Sequence, residues 1–278
     1  MTPQEGFARA RQEAQKLHRR FGVESAHHVD VHAFAERLKV QIVDAQLQGA
    51  YAQLVVNRRR ARILVSERLE DPSLRRVAIA HELGHYVLDH PSPAVAELCE
   101  PTPRGPRVQS GGRNFEDEAQ GFAIELLTPS CVVNALARQR DPGLMLCAQL
   151  QLAAWIPLEY AAVRIAESSD RICAAVLSNT AGIVWAAVSR RFYSELGHSL
   201  VLSLHEGHPL DPRSLARRIL DRGAPCAASL VPAEAWLGMP GLPLFEESTP
   251  TGRGTVVTML WAASLEAALA TPVTPIVH

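Results

Sequence analysis

Between Arg76 and Asp89 the chain carries a single charged residue, and that residue lies inside His81-Glu82-Leu83-Gly84-His85. Ahead of this stretch, Asp71-Pro72 reads as a helix start, with Asp as the N-cap and proline at the first helical position, where no N–H is needed. Ala78, Ile79, Ala80, Leu83, Gly84, Tyr86 and Val87 leave the apolar run Leu74–Leu88 little choice but a buried helix. Residues four apart on a helix stand one above the other, so the imidazoles of His81 and His85 face the same side. They offer two of the nitrogen ligands that a zinc ion takes, and Glu82 stands beside the first, placed to accept a proton from water at the metal. A bare His-Glu-x-x-His match arises by chance fairly often. The cap and the apolar surroundings give this one its weight.

A site of this kind needs a third protein ligand and an open fourth position. Downstream candidates are Asp89, His90, Glu97, Glu100, Glu116, Asp117, Glu118 and Glu125. Asn114–Leu127 reads as a second helix, with Phe115, Ala119, Phe122, Ala123 and Leu126 as its apolar stripe. Glu116 flanks that stripe. Small Ala119 and Ala123 would let this helix approach the histidine helix closely enough for a carboxylate to reach the metal, whereas Asp117 and Glu118 turn towards solvent on the same wheel. Glu116 is therefore the favoured third ligand; the plainer reading is an acid in a helix's first turn, favoured there by the helix dipole. Asp89, four residues past His85, could orient that imidazole. Tyr86 and Tyr51 are candidates for a donor to the developing oxyanion.

These two motifs, His81-Glu82-Leu83-Gly84-His85 and Glu116-x-x-Ala119-x-x-Phe122-Ala123-x-x-Leu126-Leu127-x-Pro129, resemble in sequence and order the bacterial ImmA/IrrE family of metallopeptidases. The lead-in is similar too: an amphipathic helix, then Val29-Asp30-Val31-His32 opening a second helix, then a strand and a hairpin. Gln120 stands where Asn or Asp is common, and Thr128 where Met is common; neither is a proposed ligand. The resemblance covers residues 5 to 130 well and extends more loosely to about 168. It implies a zincin-like minimal metallopeptidase domain. It also implies a zinc-dependent endopeptidase that cuts a helix-turn-helix transcriptional repressor and so switches on stress-response or mobile-element genes.

Composition bounds the rest. With 278 residues, 47% hydrophobic and 21% charged, the chain can bury a sizeable core, and a formal charge of −1 supplies no overall field for DNA, membrane or acidic partners. There is no run of eighteen apolar residues and no secretory signal at the start. The five cysteines (99, 131, 147, 173 and 226) form no paired motif, which suits a reducing cytoplasm. Three-quarters of the donor chemistry for a metal is already present at 81, 85 and 116; Zn2+ is the expected ion, with Mn2+ or Fe2+ also compatible with such ligands.

The chain reads as an α+β protein in three segments: a metallopeptidase domain over 1–130, a helical, helix-turn-helix-like module over 131–169, and a small C-terminal α+β domain over 170–278. In the first, Gly6–Phe21 and Val31–Leu38 are helical, Val40–Val43 is a strand, and Ala50–Val56 with Ala61–Ser66 is a hairpin turning at the basic Asn57–Arg60. Its outer strand is where a substrate peptide could add as an antiparallel strand. Pro- and Gly-rich 100–113 separates the two ligand-bearing helices and reads as an insertion. Val132–Ala137, Leu144–Leu152 and Leu158–Ala166 make three short helices; only Arg164 on the last could read bases, so direct DNA binding is not expected and a packing or docking role is. In the last segment, Ile172–Leu177 and Ile183–Val188 form a hairpin, Pro212–Leu220 a helix, and Ala227–Val231 and Thr255–Leu260 strands. His198, His205 and His208, like His27, His28 and His32, read as solvated. A sensory and a substrate-presenting role for this segment stay equally open. Two functional classes follow: a regulatory zinc endopeptidase, or a non-proteolytic metal-binding regulatory module acting through protein contacts. A generic aminopeptidase is a weaker third, because no amine-binding feature is visible.

Overall fold

The computed structural model describes residues 3–24, 29–57, 60–91, 115–138, 141–196, 202–223, 226–238, 243–252 and 254–262. The Pro- and Gly-rich segment, Glu97, Glu100, Arg58, Arg59, His27, His28 and His198 lie outside these. The architecture is α+β and falls into two compact units, one made of residues 1–133 and 150–160, the other of 134–149 and 161–278.

The first unit opens with helix α1 (Pro3–Phe21), which buries Phe7, Ala10, Ala14 and Leu17 on one face. Helix α2 (Val31–Arg37) starts where the Asp30 carboxylate accepts from the amides of His32 and Ala33. A three-stranded sheet follows in the order β1-β3-β2, with β1 (Val40–Ala45) parallel and β2 (Ala52–Asn57) antiparallel to the central β3 (Arg60–Ser66). Ile63 and Val65 on β3 are fully buried while Arg60 and Arg62 face outward, the alternation of a sheet covered on one side. β2 is an edge strand, and its Val55 and Val56 are exposed.

Helix α3 (Pro72–Val87) carries the histidines. The Asp71 carboxylate accepts from the amides of Ser73 and Leu74, so the cap read from the sequence is the cap that forms. Val77, Ile79, Ala80 and Leu83 are wholly buried; burial of side chains the size of Ile79 and Leu83 contributes about 1.5–3 kcal/mol each. Arg76, one turn into the helix, donates to the carbonyls of Val29 and Ala154 and lies against the Trp155 ring.

Helix α4 (Phe115–Leu127) packs on α1 and on α3. Both contacts are made at glycines. A Cβ on Gly121 would come within 2.8 Å of the Phe7 ring, and one on Gly84 would sit 3.0 Å from the Ala119 carbonyl oxygen and 3.1 Å from its Cα. At Gly84 the α3 and α4 backbones are in direct contact, with no side chain between them.

Helices α5 (Ser130–Ala137), α6 (Leu144–Ala154) and α7 (Leu158–Ser168) follow. Arg164 on α7 is only 2% exposed, so it has no reach into a DNA groove. The rest of the second unit is an antiparallel sheet ordered β5-β4-β8-β7-β6, from β4 (Cys173–Asn179), β5 (Gly182–Val188), β6 (Cys226–Val231), β7 (Leu244–Pro250) and β8 (Val256–Ala262). Helices α8 (Arg190–Leu196), α9 (Leu215–Arg222) and α10 (Glu234–Leu237) accompany it. The two strands at its core, β4 and β8, are apolar on both faces. Strand β7 has no apolar alternation to announce it: its inward positions are Leu244, Glu246 and Ser248. Glu246 is fully buried and accepts from the Ala216 amide, the Trp236 indole and the Ser248 hydroxyl; burial keeps its carboxyl above the usual range despite these bonds.

The Gly84 contact can be tested directly. Alanine is the better helix former by about 1 kcal/mol, so Gly84→Ala would stabilise an isolated α3. In the folded protein it must push α4 away, at a cost of about 1–3 kcal/mol for an overpacked site. The expected result is a lower urea midpoint at unchanged slope.

Candidate metal centre

Three side chains converge where α3 meets α4. His81 Nε2 lies 3.0 Å from His85 Nε2 and 3.0 Å from Glu116 Oε2, and His85 Nε2 lies 3.3 Å from Glu116 Oε1. Among the described residues, this is the one group of three His, Cys, Asp or Glu side chains whose ligand atoms lie within 4.8 Å of one another. The imidazoles are buried, whereas the Glu116 side chain is 43% exposed, which leaves a path from solvent. Two ring nitrogens turned towards each other with a carboxylate against both is a poor arrangement without a cation between them. Tetrahedral zinc with bonds of 2.0–2.1 Å sets its ligand atoms about 3.3 Å apart, close to the separations here. The donor set therefore fits a divalent ion.

The electrostatics point the same way. Burial alone would lower the His81 pKa, but the hydrogen bond to Glu116, the charges of Glu82 and Glu116 and the neighbouring Gln120 outweigh it, and the net shift is upward. Burial would raise Glu116; its contacts with His81 and His85 reverse that and hold it far below the ordinary carboxylate range. Glu116 is thus an anion at any pH at which the protein would work.

Glu82 is 5% exposed, and its Oε2 accepts the Leu54 amide N–H at 2.7 Å. The donor is on the edge strand β2, so the acid between the two histidines is fixed by the sheet and not by its own helix. That bond offsets part of the cost of burying a carboxylate. Tyr51 and Tyr86 are both half-buried, and no contact places either at the ligand triangle.

Asp89 does not reach His85. The helix ends at Leu88, and Asp89 sits beyond it with φ of 53°, in the left-handed region. Its amide bonds the Tyr86 carbonyl and the amide of His90 bonds the His85 carbonyl, the paired bonds of a Schellman turn. The four-residue spacing that would put Asp89 beneath His85 holds only within a helix, so the carboxylate swings out to solvent. His90 takes the place instead: its Nδ1 is 3.0 Å from His85 Nδ1, and its Nε2 is 3.2 Å from Glu118 Oε2. Glu118 and Asp117 are also buried, contrary to the helical-wheel expectation, because α4 is covered on both sides and has no solvent face there. A histidine just past the end of the helix was the only sequence signal for this arrangement.

Residues 35–165 match the family model of the Peptidase_M78 group, described as the IrrE N-terminal-like domain. A solved structure, that of a "Mycobacterium tuberculosis transcriptional regulator", is similar to this chain with a TM-score of 0.56 and 12% identity, over 97% of this chain and 93% of that one. At that identity the likeness is one of fold. No curated protein matches the chain.

Two measurements probe the site. Zinc requires neutral imidazoles, so uptake competes with protonation of His81, whose pKa is raised in the metal-free protein. Zinc affinity is expected to fall as pH drops through the raised His81 pKa, with Glu116 taking no part in the neutral range; calorimetry in buffers of different ionisation enthalpy would record the released proton. Asp89→Gly removes a side chain from a left-handed residue, a conformation costing up to about 1–2 kcal/mol for an ordinary residue and less for Asp. Stability in urea should rise slightly and zinc affinity should not change. A large loss of affinity would return Asp89 to the site.

Proposed function

We propose, from the match of residues 35–165 to the IrrE N-terminal-like peptidase domain and from the His81, His85 and Glu116 triangle, that this chain is a zincin-like, zinc-dependent endopeptidase. The observation that carries the reading is the position of Glu82: an ionisable carboxylate one residue from the first ligand, held by the edge strand, in a site that needs no acid if it serves only to grip a metal.

His81, His85 and Glu116 would hold the ion and leave one coordination position for solvent or substrate. A zinc ion so held supplies water of lowered pKa and a positive charge to polarise the scissile carbonyl. Glu82 acts as general base, taking a proton from the attacking water at its carboxylate and passing it to the departing amine. The Leu54 N–H keeps that carboxylate aimed without neutralising it. Strand β2 borders the general base and ends its sheet, so an extended peptide added antiparallel to it would lie across the metal with its backbone in register. Such binding reads main chain more than side chain, which suits an endopeptidase acting on an exposed segment of a folded protein.

For substrate, the resemblance supports a helix-turn-helix transcriptional repressor, cut so that the genes it silences are released. The structural neighbour being a transcriptional regulator is in keeping with a regulatory setting. The burial of Arg164 supports action on the repressor itself, not on its DNA. Cytoplasmic action fits such a partner, and no helix among the described residues is long and apolar enough to cross a membrane.

The test is incubation of the zinc-loaded chain with the helix-turn-helix protein encoded beside it, products being read by mass spectrometry. Wild-type protein should generate discrete fragments that a chelator abolishes. Glu82→Gln should keep its zinc and lose roughly 10²–10⁴-fold in rate. Cleavage by that variant at the wild-type rate would remove the mechanism; unaltered control of the repressor by it, with no fragments from either protein, would favour a non-proteolytic metal module.

A further inference from the structure

Behind the ligand triangle lies a second row of polar groups that no part of the proposed chemistry uses. His90 has a side chain with no exposed surface, and the Glu118 side chain is 2% exposed. Neither can touch substrate. His90 sits between the His85 ring, which it meets edge to face, and the tilted Phe115 ring, at centroid distances of 5.0 and 4.8 Å. Glu118 is seated where α1 offers no side chain at all: a Cβ on Gly6 would fall 2.7 Å from Glu118 Oε1. The row is held by backbone too, since the turn that ends α3 bonds the His90 amide to the His85 carbonyl at 3.0 Å.

We propose that Glu118 and His90 form a relay that fixes the tautomer and orientation of His85, making both of them positioning residues for the metal centre. The inference rests on the zinc-site reading above and deepens it. Its basis is proton counting along one line of contacts. For His85 to present the Nε2 lone pair to an ion, its proton must be on Nδ1. That N–H faces His90 Nδ1 at 3.0 Å, which must then be the acceptor. The His90 proton is thereby on Nε2, where it faces Glu118 Oε2 at 3.2 Å, an acceptor as carboxylate. Each of these two contacts then has one donor and one acceptor. With the His90 proton on Nδ1 instead, His85 would have to accept there, carry its own proton on Nε2 and present no lone pair to the metal. The Glu118 carboxylate selects the productive arrangement from the neighbouring helix, as carboxylates behind metal-bound histidines do.

The test measures zinc affinity by competition with a chromophoric chelator for the full chain, His90→Phe and His90→Asn, alongside urea unfolding of the metal-free proteins. Phenylalanine fills the space but accepts no proton; the Asn Oδ1 can occupy the place of Nδ1 and accept it. His90→Phe should weaken zinc roughly 10–100-fold, and His90→Asn should recover most of that. Nitrogen-15 NMR of the zinc-loaded wild type, which needs no substitution, should show the His85 proton on Nδ1. Equal affinity in His90→Phe and wild type, or equal losses in both variants, would overturn the relay while leaving the metal site standing; a His85 proton on Nε2 would overturn the relay and the role of His85 as a ligand together. A wild-type chain that takes up no zinc would overturn both.

Discussion

The site exists because two helix backbones touch. Glu116 on α4 can meet His81 and His85 on α3 only if the two helices come close together, and Gly84 against Ala119 provides that approach. Gly84 lies between Glu82 and His85 on the ligand-bearing turn, and Ala119 lies one turn beyond Glu116. The contact is thus next to every group it must align. The small residues bring the two backbones into contact at this point, and the larger Ile79, Leu83, Phe122 and Leu126 are buried along the same two helices.

Close packing makes a polar problem, because His81, Glu82, His85, His90, Asp117, Glu118 and Gln120 are all buried in one region. Unpaired, such groups would cost several kcal/mol each. The fold meets part of this cost with partners drawn from separate elements: a sheet amide for Glu82, and His85 and Glu118 for the two ring nitrogens of His90. Strand β2 and helices α1, α3 and α4 therefore each have a hand in the site.

How much of this the sequence disclosed depends on whether the information was local. The α3 cap, the facing imidazoles and the small residues on α4 follow from spacing along one helix or two, and they were legible. The partners of Glu82 and His85 were not. The Leu54 amide carries no side-chain signature, because any residue there would donate. Asp89 was expected at His85 by helical arithmetic, but one left-handed residue ends that arithmetic and hands the position to His90. Strand β7 escaped for a related reason: Glu246 faces inward to receive the α9 amide and the Trp236 indole, so its burial is set by partners distant in the chain and not by a period of two. Patterns within an element survive in sequence; polar contacts between elements leave little trace there.

That contrast bears on what Glu82 is for. A protein that needed the metal only as a clip would gain by filling position 82 with an apolar residue: burying a carboxylate is costly, and a well-packed hydrophobic replacement of a buried charge is often neutral or stabilising. Instead the chain retains an acid at 5% exposure and commits an edge-strand amide to it. The bond is also one that orients without quenching, because a neutral donor leaves the carboxylate its charge where a Lys or Arg partner would form an ion pair. Among the described residues, no salt bridge involves Glu82. Keeping a buried acid on one neutral donor beside the His81, His85 and Glu116 cluster costs stability, and a site built for cohesion alone has no use for it.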